Sequence, residues 1–335
     1  MKSLSESLTN HESYASRSLV LMFFIALLER RSFHVHGNLV AGPRRSLKGT
    51  LTSPETAPRD VVIIIPGSGP TDRDGNGPGG LRAATYRLIA EGLLNEGVAS
   101  IRIDKRGMYG SSAAVPDANA VTIRDYADDV RGWVTTVREQ TGARCVWLLG
   151  HSEGGIAALV AAQNEEGICG AILLAVPGRP LSAILRDQIL AAPSLKAVRQ
   201  EALTVLETLT SGQRVPADQI DHALLPIFRP EVQGLLASEL RLDPSQLVAS
   251  VKRPVLILQG GKDLEVSVAD ARLLKRSNPW ATLVLINNAN HFFKDVEKSS
   301  DYNEDMRIDS DSMAPLDPAV IEAIARFIKM NGSSK

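Results

Sequence analysis

Cysteine is scarce in this chain. Of 335 residues only Cys145 and Cys169 are cysteines, and both lie in apolar stretches that read as strands. That setting suits small buried hydrophobes better than a disulfide, and two cysteines cannot build a structural zinc cage. Aromatic residues make up 4%, and Gly 26 with Pro 18 is ordinary, so neither a fibrous nor a disordered class is indicated. Charge of one sign is missing as well: Lys plus Arg is 37, Asp plus Glu is 38, and the net charge is −1. No basic field exists for nucleic acid, which is excluded as an expected partner. Long apolar runs are also absent. Leu19–Leu28 has ten residues, where a membrane-spanning helix needs about twenty, so no integral membrane span is expected. Glu6 and Glu12 precede this run and Glu29-Arg30-Arg31 follows it, unlike the flanks of a secretory signal. Residues 1–42 are therefore expected to form a leader or a short apolar helix on a cytoplasmic protein, export through an N-terminal signal being the alternative.

What is present is 44% hydrophobic residues arranged in alternation. Short apolar runs at Val61–Ile65, Ser100–Asp104, Cys145–Leu149, Ala171–Val176, Val255–Leu258 and Leu283–Ile286 read as strands buried on both faces. Helical patterns lie between and after them, at Leu81–Glu96, Ile123–Glu139, Gly154–Glu165, Val266–Lys275 and Pro318–Lys329. This alternation predicts an α/β fold with a mostly parallel sheet covered by helices on both faces. Leu181 to about Ala249 breaks it, with helical periodicity punctuated by Pro193, Pro216, Pro226, Pro230 and Pro244. The expected division is a core of residues 43–178 and 251–330 with a helical cap inserted at 179–250. Asp295–Asp311 reads as an acidic, mobile loop.

Gly150-His151-Ser152-Glu153-Gly154 fits G-x-S-x-G. The match gains meaning from its setting, since a buried strand ends at Gly150 and a helical pattern begins at Gly154. A serine on so sharp a strand-to-helix turn occupies a strained backbone, and the flanking glycines avoid collision with the neighbouring strand and helix. Its hydroxyl then stands at a helix N-terminus, where developing negative charge is favoured. A base is needed to take the Ser152 proton. In strand-turn-helix hydrolases the chain order is serine, acid, histidine. His11, His34 and His36 come too early, His151 is the variable residue of the elbow, and His222 lies in the cap. His291 remains, in a loop after the last apolar strand. The acid should leave the strand before, and Asp263 follows the Gly260-Gly261 turn there, with Glu265 and Asp270 as nearby substitutes. Activity that needs neutral His291 should climb between about pH 6 and 8.

Acyl transfer also needs donors aimed at the oxyanion. One should be the Glu153 amide, directly after the nucleophile. The other should come from Pro66-Gly67-Ser68-Gly69-Pro70, with the Ser68 amide favoured and Gly69 second, since proline has no N–H. The charges of Thr71-Asp72-Arg73-Asp74 suggest a local Arg–carboxylate clamp, and Asp104-Lys105-Arg106-Gly107 a brace with no catalytic step.

Taken together, Gly67–Gly75, Asp104–Ser112 and Gly150–Gly155 resemble the bacterial α/β-hydrolase-fold esterases and serine-aminopeptidase-like hydrolases, with a GSGP-x-DRDG loop and a GHS-x-GG elbow. The resemblance runs from about Leu47 to Phe327 and implies a serine esterase. It puts Ser152, Asp263 and His291 on the family's triad positions, and Ser68 and Glu153 on its oxyanion positions. Pro66 departs from the family, where many relatives have His. The expected activity is metal- and cofactor-independent cleavage of small carboxylic esters with short to medium acyl groups. Thioesters and N-terminal peptide bonds are alternatives on the same residues. Two other classes compete. Gly75-Asn76-Gly77-Pro78-Gly79-Gly80 matches the G-x-G-x-x-G of an NAD-binding loop, but about ten residues separate it from the strand end at Ile65. A non-catalytic binding module on the same fold would usually lack a triad member, and all three are present. The oligomeric state is left open.

Overall fold

The computed structural model describes residues 38–42, 46–296 and 301–332, so Leu19–Leu28 lies outside the described residues. Eight strands form one sheet: β1 (Asn38–Ala41), β2 (Lys48–Thr52), β3 (Val61–Ile65), β4 (Ala99–Ile103), β5 (Val146–His151), β6 (Ile168–Leu174), β7 (Val255–Gly260) and β8 (Thr282–Ile286). Their order is β1-β2-β4-β3-β5-β6-β7-β8. β1, β2 and β4 pair antiparallel, and every pair from β4 through β8 is parallel. The antiparallel edge was not legible in the sequence, and it begins before the boundary expected at residue 43. β3, β4, β5 and β7 are buried at every position, as strands covered on both faces must be.

The chain passes from β3 to β4 on one side, then crosses to β5 on the other. The loops leaving β3 and β5 therefore diverge, and the crevice between them is where open α/β sheets bind ligands. Among the crossover helices, α1 (Thr85–Asn95) covers one face, while α2 (Ile123–Thr141) and α3 (Glu153–Ala161) cover the other. α1 starts later than its apolar pattern because Ala84 takes φ 51°, ψ 22°, a left-handed conformation that no helix can propagate through. α2 starts sharply, where Thr122 and Asp125 form a reciprocal capping box, and stops at Gly142 with φ 73°.

Residues 181–240 carry α4 (Leu181–Ala191), α5 (Arg199–Thr210), α6 (Leu225–Phe228) and α7 (Gln233–Leu240). Ile189, Leu206, Leu209, Leu224, Phe228 and Leu240 form an apolar cluster of their own there. α8 (Pro244–Ser250) instead packs Val248 into the main core. Pro193, Pro226, Pro230 and Pro244 sit in the first turns of short helical elements, where a missing N–H costs nothing. α9 (Val268–Ser277), α10 (Tyr302–Asp309) and α11 (Pro318–Gly332) complete the chain. α10 corrects the expectation of an acidic loop over Asp295–Asp311: Asp301 caps it through the Asn303 amide, and Asp305 and Asp309 are buried.

A second correction concerns the cysteines, which form a Cys145–Cys169 disulfide with Cα atoms 5.1 Å apart. Cys145 precedes β5 by one residue and Cys169 is the second residue of β6, its parallel neighbour. A strand-helix-strand crossover returns the chain to the same end of the sheet, so cysteines at the two strand starts meet although 24 residues separate them. Apolar surroundings are compatible with either state of a cysteine and did not distinguish them.

Candidate active site

Ser152 directly follows β5 and opens α3 with φ 51° and ψ −123°, a costly conformation for any side chain. The turn closes because glycines surround it. A Cβ on Gly150 would lie 2.4 Å from the Gly154 carbonyl oxygen, and one on Gly154 would lie 2.4 Å from the Ile65 and Pro66 carbonyl oxygens. The Ser152 amide donates to the Leu174 carbonyl at 2.9 Å, which ties the elbow to β6.

The loops after β7 and β8 meet through glycines in the same way. A Cβ on Gly260 would come 2.3 Å from the Ala289 carbonyl oxygen, and one on Gly261 2.5 Å from that of Asn287. This close approach brings His291 Nδ1 to 2.9 Å from Asp263 Oδ2. Asp263 is saturated: Oδ1 accepts the Glu265 and Val266 amides at 2.8 Å each, and Oδ2 also accepts Gln259 Nε2 at 2.9 Å. Burial works to raise the Asp263 pKa, but His291 and these donors together hold the carboxyl below its usual range. Burial likewise works to lower His291, and the adjacent Asp263 carboxylate outweighs it, pushing the imidazole up to about 9. Of the substitute acids, Glu265 has Oε2 3.5 Å from His291 Nε2 but is 61% exposed. Asp270 is committed elsewhere, to the Arg179 guanidinium at 3.0 Å and the Ser267 hydroxyl. Asp263 and His291 are thus in direct contact. No hydrogen bond joins His291 to Ser152 among the described residues, and such bonds are commonly long without substrate.

The β3 loop passes next to the elbow, since a Cβ on Gly67 would lie 3.4 Å from Ser152 Cβ. Neither the Ser68 nor the Glu153 amide donates to a protein acceptor among the described residues. The charges expected to clamp the loop internally reach across to β4 instead: Arg73 pairs with Asp104, and Asp74 with Arg102. Asp104 also accepts the Arg73 and Gly110 amides at 3.0 and 2.9 Å. Arg106 binds Asp129 of α2 through Nε and Nη2 at 2.6 Å, which ties the segment after β4 to that helix.

Three further residues belong to this centre through contacts that the sequence does not foretell, although Lys105 is expected in a brace and His151 in the elbow. Lys105 Nζ donates to the Gly67 carbonyl at 2.6 Å and to Glu153 Oε1 at 3.2 Å. The Gly67 amide donates to Tyr86 Oη at 2.9 Å, and Tyr86 Oη lies 2.9 Å from His151 Nδ1. His151 Nε2 is 3.0 Å from the His291 carbonyl. A carbonyl only accepts, so His151 Nε2 must be the protonated nitrogen. Burial, with help from His291, lowers the His151 pKa to about 3. The ring is therefore neutral, Nδ1 accepts, and Tyr86 donates. One directed chain of hydrogen bonds runs from the Gly67 turn to the His291 loop.

A cavity of about 1110 Å³ opens between this turn and residues 181–240. Ser68, Gly69 and Glu153 line its floor, while Leu181, Ile227 and Leu235 line its far side.

Sheet order, elbow and the acid and histidine loops define an α/β-hydrolase fold. The chain belongs to the Serine aminopeptidase, S33 family, which it matches over residues 79–294. It is 27% identical over 293 residues to esterase EstD of Thermotoga maritima, covering 84% of this chain and 65% of EstD. The chain thus spans just under two thirds of that relative's length. Among solved structures it resembles Est1E from Butyrivibrio proteoclasticus, with 18% identity, 86% of this chain and 95% of that chain covered, and a TM-score of 0.53. It also resembles the Pyrococcus furiosus esterase Pf2001, with 15% identity, 90% and 94% covered, and a TM-score of 0.52. At these identities the structural likeness is one of fold. A dinucleotide loop does not fit, because residues 66–84 separate the end of β3 from the start of α1. No helix among the described residues is long and apolar enough to cross a membrane.

Proposed function

We propose that this protein is a serine hydrolase that cleaves carboxylic esters of short to medium acyl chains through an acyl-enzyme. Ser152 Oγ attacks the carbonyl carbon while His291 Nε2 takes its proton, and His291 then returns that proton to the departing alkoxide. Asp263 fixes the imidazole tautomer and stabilises the imidazolium. The Ser68 and Glu153 amides hold the oxyanion, with the Gly69 amide as second choice to Ser68. Residues 179–250 act as a roof over the acyl pocket, and the core comprises 43–178 and 251–330. The chemistry calls on no cofactor. The observation that carries this reading is the 2.9 Å Asp263–His291 hydrogen bond on loops beside a serine held at φ 51°. The names of EstD, Est1E and Pf2001 favour esters, and the family's description keeps N-terminal peptide bonds as the second reading. The test is stoichiometric labelling of Ser152 by a fluorophosphonate, together with a panel of p-nitrophenyl esters, acyl-CoA and aminoacyl anilides. Absence of labelling would leave a binding module.

The pH dependence follows from His291. It must be neutral to accept a proton, so turnover rises as pH climbs through its pKa. With that pKa pushed up to about 9, the rise falls above the pH 6 to 8 expected for an ordinary histidine. Glu265→Gln removes an exposed carboxylate 3.5 Å from Nε2. The midpoint should move down by a few tenths of a pH unit, with the kcat plateau within about twofold of the parent, because solvent screens an exposed charge. A pH–rate profile checks this, and collapse of the plateau would make Glu265 the acid.

We further propose that the chain matures in an oxidising compartment, the export alternative, because disulfides are rare in reducing cytoplasm and Cys145–Cys169 forms one. Thiol titration of the protein as purified from its native host and denatured without reductant should find no free thiols, and two after reduction. Two free thiols before reduction would return the protein to the cytoplasm.

A further inference from the structure

The end of β4 places two successive side chains against the two ends of the loop that follows β3. Asp104 holds the distal end through the Arg73 amide and guanidinium. Lys105 holds the near end, with Nζ 2.6 Å from the Gly67 carbonyl oxygen. That carbonyl belongs to the same peptide unit as the Ser68 N–H. Because a peptide is planar and trans, fixing the direction of the carbonyl fixes that of the amide opposite. Lys105 also reaches Glu153, whose own amide opens α3 beside Ser152. Its Nζ lies 5.3 Å from the Tyr126 ring centroid, and only 4% of its side chain is exposed.

We propose that Lys105 is a positioning residue for the oxyanion site, acting through the Gly67–Ser68 peptide. The proposal rests on the serine-hydrolase reading above. Two effects operate together. The ammonium–carbonyl bond prevents the peptide from flipping, so the Ser68 N–H stays aimed at the site where charge develops. It also draws electron density toward the carbonyl oxygen and makes the amide hydrogen a stronger donor, as linked hydrogen bonds polarise one another. No proton leaves Lys105 in this role. The Gly67 amide, held by Tyr86, fixes the preceding Pro66–Gly67 peptide, so loss of Lys105 frees rotation at the Gly67–Ser68 peptide itself. Its contribution should appear in the transition state, where the oxyanion exists, rather than in ground-state binding.

The test is Lys105→Met, which keeps length and apolar bulk and removes the donor. The expected result is a fall of about 10²-fold in kcat, the scale of one oxyanion donor, with KM changed less than about threefold. The inhibition constant of a trifluoromethyl ketone, whose hemiketal oxyanion occupies the same site, should rise by the same factor. The single variant leaves the Glu153 carboxylate buried without its partner, which can itself disturb folding. Lys105→Met/Glu153→Gln removes both charges together. If Lys105 positions the peptide, the double variant stays about 10²-fold down. If Lys105 merely neutralises Glu153, the double variant recovers to within a few-fold of the parent and the proposal falls. Ser152→Ala run alongside separates the two levels: turnover that survives Ser152→Ala overturns the serine-hydrolase reading, whereas full kcat in Lys105→Met with none in Ser152→Ala overturns only the role of Lys105.

Discussion

Ser152→Ala is expected to reduce kcat on a p-nitrophenyl ester by about 10⁶-fold, roughly 8 kcal/mol of transition-state stabilisation, and to abolish fluorophosphonate labelling. The size reflects cooperation. Without the hydroxyl, His291 has no proton to accept and no acyl-enzyme can form, so the contributions of His291 and Asp263 vanish with it. Some acceleration over water should remain from binding and the amide donors. Folding should be almost unaffected, because alanine meets the same penalty as serine at φ 51°, and the elbow is held by the Ser152 amide and the surrounding glycines rather than by the hydroxyl. A melting temperature within a degree or two of the parent, alongside lost turnover, separates chemistry from stability. Turnover within about a hundredfold of the parent would remove Ser152 from the mechanism, since loss of an acting nucleophile costs several orders of magnitude more.

Much of this centre is legible in the sequence because sterics dictate it locally. Gly150, Gly154 and the Gly260-Gly261 pair stand where a Cβ would strike backbone at 2.3 to 2.5 Å, so the elbow and the acid turn can be read from short windows. His291 is reachable by chain order. Lys105, Tyr86 and His151 are not, since each acts on a partner brought near only by the sheet: Lys105 on Gly67 across β4 and β3, Tyr86 on Gly67 and His151 from α1, and His151 on the His291 carbonyl. Tyr86 shares the buried face of α1 with Ile89, Ala90 and Leu93, but that periodicity says nothing of the polar partner its hydroxyl meets. The disulfide has the same origin, two strand starts made neighbours by a crossover. β1 and β2 were missed for another reason. At four and five residues, with Gly49 inside the second, they lack the continuous apolar run that marks the parallel strands.

Asp263→Asn is expected to lower kcat by about 10³- to 10⁴-fold while leaving the protein folded, and the hydrogen-bond pattern around the carboxylate dictates why. Oδ1 receives two backbone donors, the Glu265 and Val266 amides, neither of which can accept. An amide at this position must therefore keep its oxygen there, and its NH₂ is forced into the place of Oδ2, facing His291 Nδ1. An NH₂ group donates, so Nδ1 must become the acceptor and the ring proton must move to Nε2. That is the nitrogen required to take the Ser152 proton, and it is then already occupied. The remaining neighbour cannot adapt. Gln259 Nε2 also donates to the Val266 and Gly260 carbonyls at 2.9 and 3.2 Å, so its amide cannot turn without setting Oε1 against both oxygens, and the new NH₂ meets a donor where Oδ2 met one. A buried donor is left without an acceptor, which costs about 1 to 3 kcal/mol of stability. Nuclear magnetic resonance of the His291 ring should show the proton on Nε2 in the variant and on Nδ1 in the parent above its pKa. If kcat stays within about tenfold of the parent while the proton moves, the carboxylate does not set the tautomer that the reaction uses, and the acid must be sought at Glu265.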